Sequence, residues 1–409
     1  MQNANNIDCY TEHDRQRGWA MQRLKIDLIA AARPNFMKVA PLFHALHGQP
    51  WCSLRLVHTG QHYDANMSEA FFRDLGLPSP DPHLGVGSGS HAEQVANVML
   101  AYERACVEDR PDLIVVVGDV NSTLACALVG SKLWITVAHL EAGLRSRDRR
   151  MPEEINRLAT DTVADILWTP SPDADENLAA EGVAPDKVSN VGNIMIDSYE
   201  LMRERIHTSG ERERLGLTER EYGVVTLHRP SNVDEPAPLA ALVAQLTDIA
   251  ARLPLVFPVH PRTRKNLEAF GLWTKLAGAP GMLVAKPLGY VDFMNLVCGA
   301  RLAITDSGGV QEETTYLGIP CLTLRTTTER PITITEGTNR LVTAADLKRT
   351  VDDILDGRWT HGRKPALWDG HSAARVADDI RRRLLGAGNR VAEDAAVVET
   401  SRRHAMGHV

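Results

Sequence analysis

Short apolar runs alternate with longer stretches of helical periodicity along most of the chain. In the first half, the runs at residues 25–31, 54–58, 113–117 and 135–139 have the length of buried strands. Continuous apolar runs of this kind are typical of parallel strands that helices cover on both faces. Between them, residues 91–108 carry apolar side chains at helical spacing and predict an amphipathic helix.

The same pattern returns in the second half of the chain, with strand-like runs at residues 223–227, 255–259, 302–305 and 321–324. Alternation of strands and helices implies βαβ units. The sequence therefore predicts an α/β fold in which two Rossmann-like domains face a deep cleft.

The periodic segments also suggest where the domains begin and end. We place an N-terminal domain at residues 21–190 and a C-terminal, ligand-binding domain at residues 191–372. A last periodic segment, 373–386, is predicted to be a helix that packs back on and completes the N-terminal domain. The polar segment 1–20 and the tail 387–409 are predicted to be flexible extensions.

Composition narrows the class of protein. The 409 residues carry a formal net charge of −7, which argues against a nucleic-acid-binding surface. No apolar stretch approaches the roughly 18 residues of a membrane helix, and the polar N-terminus is unlike a secretory signal, so we expect a cytoplasmic enzyme. None of the six cysteines has C-x-x-C spacing, which leaves a zinc site or redox pair unsupported.

Candidate ligand-binding residues follow the predicted strands, because ligands of open α/β sheets bind beyond the carboxyl ends of the strands. After the first strand, the sequence ARPNFMK places Arg33 at the strand end and Lys38 one helical turn into the next element. Two cations and the free N–H groups of a helix N-terminus suit an anion. The alternative is a solvated basic turn.

Carboxylates follow the next strands. Asp119 comes directly after the third strand, and the fourth leads into HLEAGLRSRDRRMPEEINR, with Glu141, Glu153, Glu154 and Arg157. Glu153 and Arg157 share a helix face, although one of the two adjacent glutamates is expected only to complement the helix dipole. Asp119, Glu141 and one of these two glutamates are predicted to converge and repel one another, which suits acid–base chemistry.

Two histidines follow equivalent strands of the second half. His228 stands in TLHRPSN and His260 in VHPRT, and an arginine comes soon after each, at Arg229 and Arg262. A lone histidine is more often structural than catalytic. Two histidines at equivalent strand ends, each followed by an arginine, leave a catalytic role and a structural role both open.

A phosphate-binding turn is predicted in TDSGGVQEE. Ser307, Gly308 and Gly309 lead from a strand into a helix, where a phosphate can approach backbone N–H groups. Glu312 lies one turn into that helix, in a position to accept both hydroxyls of a ribose. The alternative is an ordinary helix start with acidic dipole compensation. Arg330, in TTTERP, falls close to a further strand end.

Two motifs are misleading. The sequence GVGSGS at residues 85–90 resembles a dinucleotide fingerprint, but no strand precedes it, so a loop is predicted. Asp173 and Asp175 form a D-x-D pair that could suggest a metal-dependent glycosyltransferase. They follow Pro172 in a pattern that predicts an ordinary helix start.

Taken in order, these segments resemble the non-hydrolysing UDP-N-acetylglucosamine 2-epimerases. The matching pieces span about residues 23–341 and comprise ARPNFMK, TGQHYD, VVGDVNSTLA, AHLEAGLRS, MPEEINR, TLHRPSN, PVHPRT, GYVDF, TDSGGVQEE and TTERP. The resemblance implies a glycosyltransferase-B fold, a homodimer, and no metal or cofactor.

The resemblance also implies roles for individual residues. The carboxylates of Asp119, Glu141 and Glu153, with His228, match the catalytic residues of the family. The positions that match substrate or UDP contacts are Arg33, Lys38, Arg157, His260, Phe293 near the uracil, Ser307, Gly308, Gly309, Glu312 and Arg330. Some bacterial members bind substrate at a second, activating site, which Gln61, His62 and His260 match in part. Tyr63 and Asp64 depart from that pattern, so activation is left open.

The implied reaction is reversible C2 epimerisation of UDP-N-acetylglucosamine, by elimination of UDP to a glycal and re-addition. It requires a base, an acid and cations that stabilise the departing diphosphate. Four alternatives stay open: an epimerase of a modified UDP-sugar such as a UDP-diacetamido-uronate, a hydrolysing epimerase that releases N-acetylmannosamine, a nucleotide-sugar sensor without activity, and a retaining glycosyltransferase.

Overall fold

The computed structural model describes residues 23–31, 33–60, 72, 75–360 and 362–386, with the backbone alone at positions 33 and 34. The predicted flexible segments 1–20 and 387–409 lie outside the described residues. So do Gln61 and His62, the candidates for an activating site.

The first sheet has six parallel strands in the order β2-β1-β3-β4-β5-β6. Its strands are β1 (Leu24–Ala30), β2 (Cys52–His58), β3 (Leu113–Val117), β4 (Thr136–Leu140), β5 (Ile166–Thr169) and β6 (Val188–Asn190). β3 and β4 pair in register from Leu113 opposite Thr136 to Val117 opposite Leu140, so both strands end at the same level.

The second sheet also has six parallel strands, in the order β12-β11-β10-β7-β8-β9. They are β7 (Gly223–Thr226), β8 (Leu255–Pro258), β9 (Met282–Ala285), β10 (Leu302–Thr305), β11 (Cys321–Thr323) and β12 (Asn339–Leu341). β7 and β10 end level with each other, at Thr226 and Thr305.

Helices connect the strands. In the first half they are α1 (Arg33–Leu46), α2 (His91–Glu108), α3 (Asn121–Lys132), α4 (Pro152–Val163) and α5 (Pro172–Ala180). The remaining helices are α6 (Ile194–Thr208), α7 (Glu211–Arg214), α8 (Pro230–Val233), α9 (Pro236–Ala250), α10 (Pro261–Ala269), α11 (Trp273–Ala277), α12 (Tyr290–Gly299), α13 (Gly308–Leu317), α14 (Ile332–Thr335), α15 (Ala344–Leu355) and α16 (Ser372–Ile380).

The predicted α/β fold is confirmed, and all eight predicted strands are present within two residues of their predicted ends. The helix at residues 91–108, the helix start at Pro172 and the loop at residues 85–90 are also confirmed. Four strands were missed: β5, β6, β9 and β12. Each has only three or four residues, too few to establish a period.

Both sheets contain a topological switch point. In the first sheet, the chain moves from β1 outward to β2 and then returns to β3 on the other side of β1. In the second sheet, β8 and β9 lie on one side of β7 and β10 on the other. Adjacent strands whose connections leave in opposite directions open a crevice at their carboxyl ends, which is where ligands of such sheets bind.

Helices and one extended core join the two halves. α6 packs against α1 on one side and against α12 and α13 on the other. α16 packs on α1, and the Trp168 indole Nε1 donates to Asp379 Oδ2 at 2.8 Å. The Asp197 carboxylate accepts the backbone N–H groups of Ser372 and Ala373, the first two residues of α16. These contacts agree with a returning C-terminal helix, while the domain bounds themselves stay a prediction.

The described part of the chain has no helix that is both long and apolar enough to cross a membrane. Its five cysteines, at positions 52, 106, 126, 298 and 321, are free thiols, and all but Cys298 are buried. Burial raises the pKa of Cys321 to about 11, as expected of an unreactive thiol.

Gly143, in the turn after β4, lies where the first half is too tightly packed to admit a side chain. Its φ is +79°, and an added Cβ would lie 2.5 Å from the carbonyl oxygen of Ala174. Gly182 has a similar φ of +84°, but an added Cβ would meet open space. We expect Gly182→Ala to lower the free energy of unfolding by about 1 kcal/mol, because only the backbone is strained. Gly143→Ala should cost a further ~1–3 kcal/mol through the steric clash.

Urea denaturation of the two variants measures this difference directly. Equal losses of unfolding free energy in both would contradict the packing described around Gly143.

Candidate active site

A buried ion pair lies at the carboxyl end of β4. Glu141 directly follows the strand and adopts a φ of +73°, a conformation that costs a residue with a Cβ on the order of 1 kcal/mol. Its backbone N–H donates to the carbonyl of Trp168 at 3.1 Å, and this bond holds the unusual conformation. Glu141 Oε2 pairs with Lys38 Nζ, which α1 carries. Within the described residues, Oε1 is buried without a hydrogen-bond partner.

Lys38 is charged despite its burial. Burial alone would lower the pKa of this lysine, but the Glu141 carboxylate, with Asp119 and Glu312, raises it above its ordinary value. Asp119 and Glu141 belong to the first half, whereas Glu312 lies on α13 of the second. The ammonium group therefore lies where carboxylates of both halves act on it.

Asp119 follows β3 and pairs with Arg157 of α4 through Oδ2. About a third of the Asp119 side chain is exposed, whereas the arginine is buried. Asn156 Nδ2 donates to the Asp119 carbonyl at 2.9 Å, which fixes the backbone of the turn. The predicted repulsion between converging carboxylates was wrong for Asp119 and Glu141, because each faces a cation.

The two adjacent glutamates of α4 have different environments. Glu154 is buried and accepts hydrogen bonds from the backbone N–H groups of Ser146 and Arg147 and from the guanidinium of Arg157. Burial raises the pKa of Glu154, but these donors lower it below its ordinary value. Glu153 is exposed and acts electrostatically on Arg229 of the second half, whose pKa is lowered on balance by burial and by Arg325. Glu154 is therefore the structural member of the pair.

The second half presents a histidine–aspartate pair at its own switch point. His228, after β7, places Nδ1 2.9 Å from Oδ1 of Asp306, which follows β10. The buried Asp306 carboxylate also accepts the backbone N–H groups of His228 and Arg229 and the side-chain amide of Asn232. Burial raises the pKa of Asp306, but the His228 contact and these donors lower it on balance. His228 is thus oriented by an ionised carboxylate while 40% of its side chain stays exposed.

His260 lies beside this pair. Its ring centroid is 5.8 Å from that of His228, and its side chain accepts the N–H of Arg262 at the start of α10. Partial burial, together with His228 and Arg262, lowers the pKa of His260. The structure therefore brings the two predicted histidines together.

Glu312 is the buried carboxylate of the second half. Its Oε1 lies 2.7 Å from Arg330 Nε and accepts a hydrogen bond from Asn193 Nδ2 at 2.8 Å. Its Oε2 is buried and, among the described residues, has no hydrogen-bond partner. Burial raises the pKa of Glu312, and Arg330 opposes that shift without cancelling it. One carboxylate oxygen therefore stays available to a ligand.

The predicted phosphate turn forms the N-terminus of α13. Ser307 is the N-cap residue, and Gly308 and Gly309 are the first helical residues. A Cβ at position 308 would lie 2.9 Å from Arg330 Nη1, so glycine allows the guanidinium to lie against the turn. Arg330 also pairs with Glu329, and burial opposed by both glutamates leaves the pKa of Arg330 raised. The turn thus combines backbone N–H groups with a permanent cation.

Phe293 and Arg33 are the two remaining candidates. Phe293 lies half-buried on α12 and packs against the larger apolar core. Arg33 begins α1, and its side chain lies outside the described residues. The described residues contain no cluster of three His, Cys, Asp or Glu side chains suited to a metal ion.

A profile of the UDP-N-acetylglucosamine 2-epimerase family matches residues 44–381, which is most of the chain. The chain belongs to this family. The assignment confirms the predicted family and the predicted class of enzyme, an epimerase of UDP-sugars.

Two curated relatives show how similar the family members are to this chain. A UDP-N-acetylglucosamine 2-epimerase of Methanocaldococcus jannaschii is 41% identical over 325 residues, covering 78% of this chain and 88% of that protein. A UDP-2,3-diacetamido-2,3-dideoxy-D-glucuronate 2-epimerase of Pseudomonas aeruginosa is 39% identical over 369 residues, covering 87% of this chain and 99% of that protein. The two similar relatives thus act on different sugars.

Solved structures support the fold. The M. jannaschii UDP-GlcNAc 2-epimerase in complex with UDP-GlcNAc and UDP aligns with a TM-score of 0.78 at 38% identity, covering 87% of this chain and 99% of that one. An outer core galactosyltransferase aligns with a TM-score of 0.52 at 14% identity, which shows a shared fold alone. The predicted glycosyltransferase-B fold is confirmed.

Several residues that contact the candidate site residues had no role assigned to them from the sequence. Asp306 directly follows β10, and Glu329 stands beside Arg330 in TTTERP, so their positions in the sequence could have suggested both. Arg325 pairs with Glu329 at 2.8 Å, four residues away. Asn193 lies before α6, far from any run that predicts a ligand, and the single sequence holds no signal for its contact with Glu312.

The contrast between the adjacent glutamates of α4 is testable. We expect Glu154→Ala to lower the free energy of unfolding by about 3 kcal/mol, because Arg157 and two backbone N–H groups lose a buried partner. Glu153→Ala is the matched control and should cost no more than about 1 kcal/mol, the value of a carboxylate near a helix N-terminus. Chemical denaturation of both variants measures the difference, and equal losses would reject a structural role confined to Glu154.

Glu313, next to Glu312 on α13, should make stability depend on pH. Burial raises the pKa of Glu313 to about 8, and the neighbouring Glu312 contributes to the rise, whereas Tyr290 opposes it. A carboxyl whose pKa is higher in the folded protein stabilises fully below its ordinary pKa, and that stabilisation is lost as the pH rises toward 8. Glu313→Gln cannot ionise and should therefore be more stable than the wild type at pH 8–9 by a few kcal/mol.

Urea denaturation from pH 5 to pH 9 tests this, with the exposed Glu103→Gln as the control. Parallel pH profiles for the wild type and Glu313→Gln would show that Glu313 ionises normally in the folded protein.

Proposed function

We propose that this protein catalyses the reversible C2 epimerisation of UDP-N-acetylglucosamine to UDP-N-acetylmannosamine. The proposal rests on one observation, which is that the switch points of both sheets carry candidate site residues. Carboxylates and cations at the ends of β3 and β4 lie opposite a phosphate turn and a histidine–aspartate pair at the ends of β7 and β10. The product is a precursor of the kind that cell-surface polysaccharides require.

The chemistry needs the C1–O bond to break as the C2 proton leaves, because a proton beside an acetamido group is not acidic by itself. Asp119, Glu141 and Glu153 are the proposed catalytic carboxylates, and His228 completes the set. One carboxylate removes the C2 proton as UDP departs, which forms the glycal. A second group on the other face returns a proton as UDP adds back to C1.

The cations and the turn are proposed to hold the nucleotide. The diphosphate binds the N-terminus of α13 at Ser307, Gly308 and Gly309, where N–H groups and Arg330 stabilise its growing charge. The free Oε2 of Glu312 accepts the ribose hydroxyls. The remaining proposed contacts come from Arg33, Lys38, Arg157, His260 and, near the uracil, Phe293.

A modified sugar is the second candidate substrate. The P. aeruginosa relative, named for a diacetamido-glucuronate, is nearly as similar to this chain as the archaeal relative. A uronate carboxylate requires a cation near the sugar, and Arg229, which directly follows His228 and lies within electrostatic reach of Glu153, is the proposed cation. Comparing turnover of the two UDP-sugars decides between them.

We also propose a cytoplasmic homodimer. Exposed apolar side chains support the dimer, since Val107 at the end of α2 and Trp134 after α3 are 72% and 91% exposed. Arg110 links these segments by donating to the carbonyls of Leu133 and Trp134. Clustered apolar side chains on a surface are typical of protein interfaces.

Incubation with UDP-N-acetylglucosamine in D₂O, followed by NMR, tests the reaction. We expect a UDP-linked manno product that carries deuterium at C2, because the returned proton comes from solvent. Free N-acetylmannosamine would support a hydrolysing epimerase instead. No turnover and no exchange would reject both reactions for this substrate.

Single substitutions test the proposed catalytic groups. Asp119→Asn, Glu141→Gln and His228→Ala should each lower turnover by about 10²–10⁴-fold, the usual contribution of a general acid or base, while the protein stays folded. The exposed Glu103→Gln serves as the control and should leave turnover unchanged. Near-normal activity in any of the three would remove that residue from the catalytic set.

A further inference from the structure

His139 is a fully buried histidine with no role in the proposed chemistry. It lies on β4 opposite Val116 of β3, two residues before Glu141. Both of its ring nitrogens have a close oxygen partner. Nδ1 lies 2.6 Å from Asp161 Oδ1, and Nε2 lies 2.8 Å from the carbonyl oxygen of Gly118.

The partners of the ring determine where its protons lie. A carbonyl oxygen only accepts, so Nε2 carries a proton and donates to Gly118. Asp161 Oδ2 accepts the N–H of Gly143 at 3.0 Å and pairs with Arg145 Nη1 at 2.7 Å. The permanent positive charge of Arg145 and the N–H of Gly143 both favour the ionised form of Asp161, whatever the charge on the histidine. Nδ1 therefore donates as well, and the ring is an imidazolium.

A buried imidazolium is stable only if neighbouring charges compensate it. Asp161 supplies one negative charge to His139 and Arg145 together. Glu181 supplies the second, because it forms two hydrogen bonds to Arg145, at 2.8 and 2.7 Å. The four side chains carry two positive and two negative charges, so the group is neutral as a whole.

This neutral group connects every element that presents a proposed catalytic carboxylate. Gly118 immediately precedes Asp119, and Glu141 follows His139 on the same strand. Asp161 lies one helical turn after Arg157 on α4, on the same face of that helix. The imidazolium thus spans the ends of β3 and β4 and the helix that carries Glu153.

We propose that His139 is a positioning residue whose doubly protonated ring holds the Asp119, Glu141 and α4 groups in their reactive arrangement. The proposal rests on the proposed function, in which those carboxylates move the C2 proton. A displacement of about 1 Å at a catalytic group can cost about 100-fold in rate, so a residue that never touches the substrate can still control turnover.

Two amide variants separate the contacts of the ring. The glutamine amide reaches the position of Nε2, so His139→Gln keeps a donor for Gly118. The shorter asparagine amide reaches the position of Nδ1, so His139→Asn keeps only the Asp161 contact. We expect kcat to fall about 10-fold in His139→Gln and about 100-fold in His139→Asn, with KM changed less than about twofold in both. Unchanged kcat, or a KM that rises while kcat is unchanged, would overturn the proposal.

The protonation state is tested in the wild-type protein without reference to activity. In protein labelled with ¹⁵N-histidine, the resonances lost in His139→Gln identify His139. We expect both ring nitrogens to show the chemical shifts of an imidazolium. A neutral tautomer would overturn the proposal even if the enzyme is active. Absence of epimerisation by the wild type, with an imidazolium present, would instead reject the proposed function.

Discussion

The cleft depends on a buried ammonium group that carboxylates of both halves hold in its charged form. Lys38 pairs directly with Glu141 of the first sheet, and Glu312 of the second half also raises its pKa. Arg330 in turn neutralises Glu312 and lies against the turn at Gly308. Positive and negative groups therefore alternate across the junction, and removal of one leaves its neighbours buried without a partner.

This alternation suits a reaction in which charge moves between sugar and diphosphate. As UDP departs, negative charge grows on the diphosphate, where Arg330 and the N–H groups of α13 already point. Groups that need no reorganisation at that moment stabilise a transition state most strongly. On the opposite side, Asp119 pairs with Arg157 and Glu141 pairs with Lys38, and these contacts hold both carboxylates in place, as a positioned base requires.

Much of this was predictable from one sequence, because ligands of parallel sheets bind at strand ends and strand ends can be read from apolar runs. That reasoning located Lys38, Asp119, Glu141, His228 and Glu312. It could not rank Glu153 against Glu154, since only the fold shows which one turns inward to Ser146 and Arg157. It also missed Asn193, whose contact with Glu312 spans 119 residues and leaves no local pattern.

In the proposed reaction, the cleft holds UDP while the C1–O bond breaks. Positional isotope exchange tests it most directly, with UDP-N-acetylglucosamine that carries ¹⁸O in the bridge between C1 and the β-phosphate. We expect the label to move into non-bridging positions of the β-phosphate in the recovered UDP-sugar, because the β-phosphate of the cleaved UDP rotates before UDP adds back. Label that stays in the bridge while the C2 proton exchanges with solvent would contradict it.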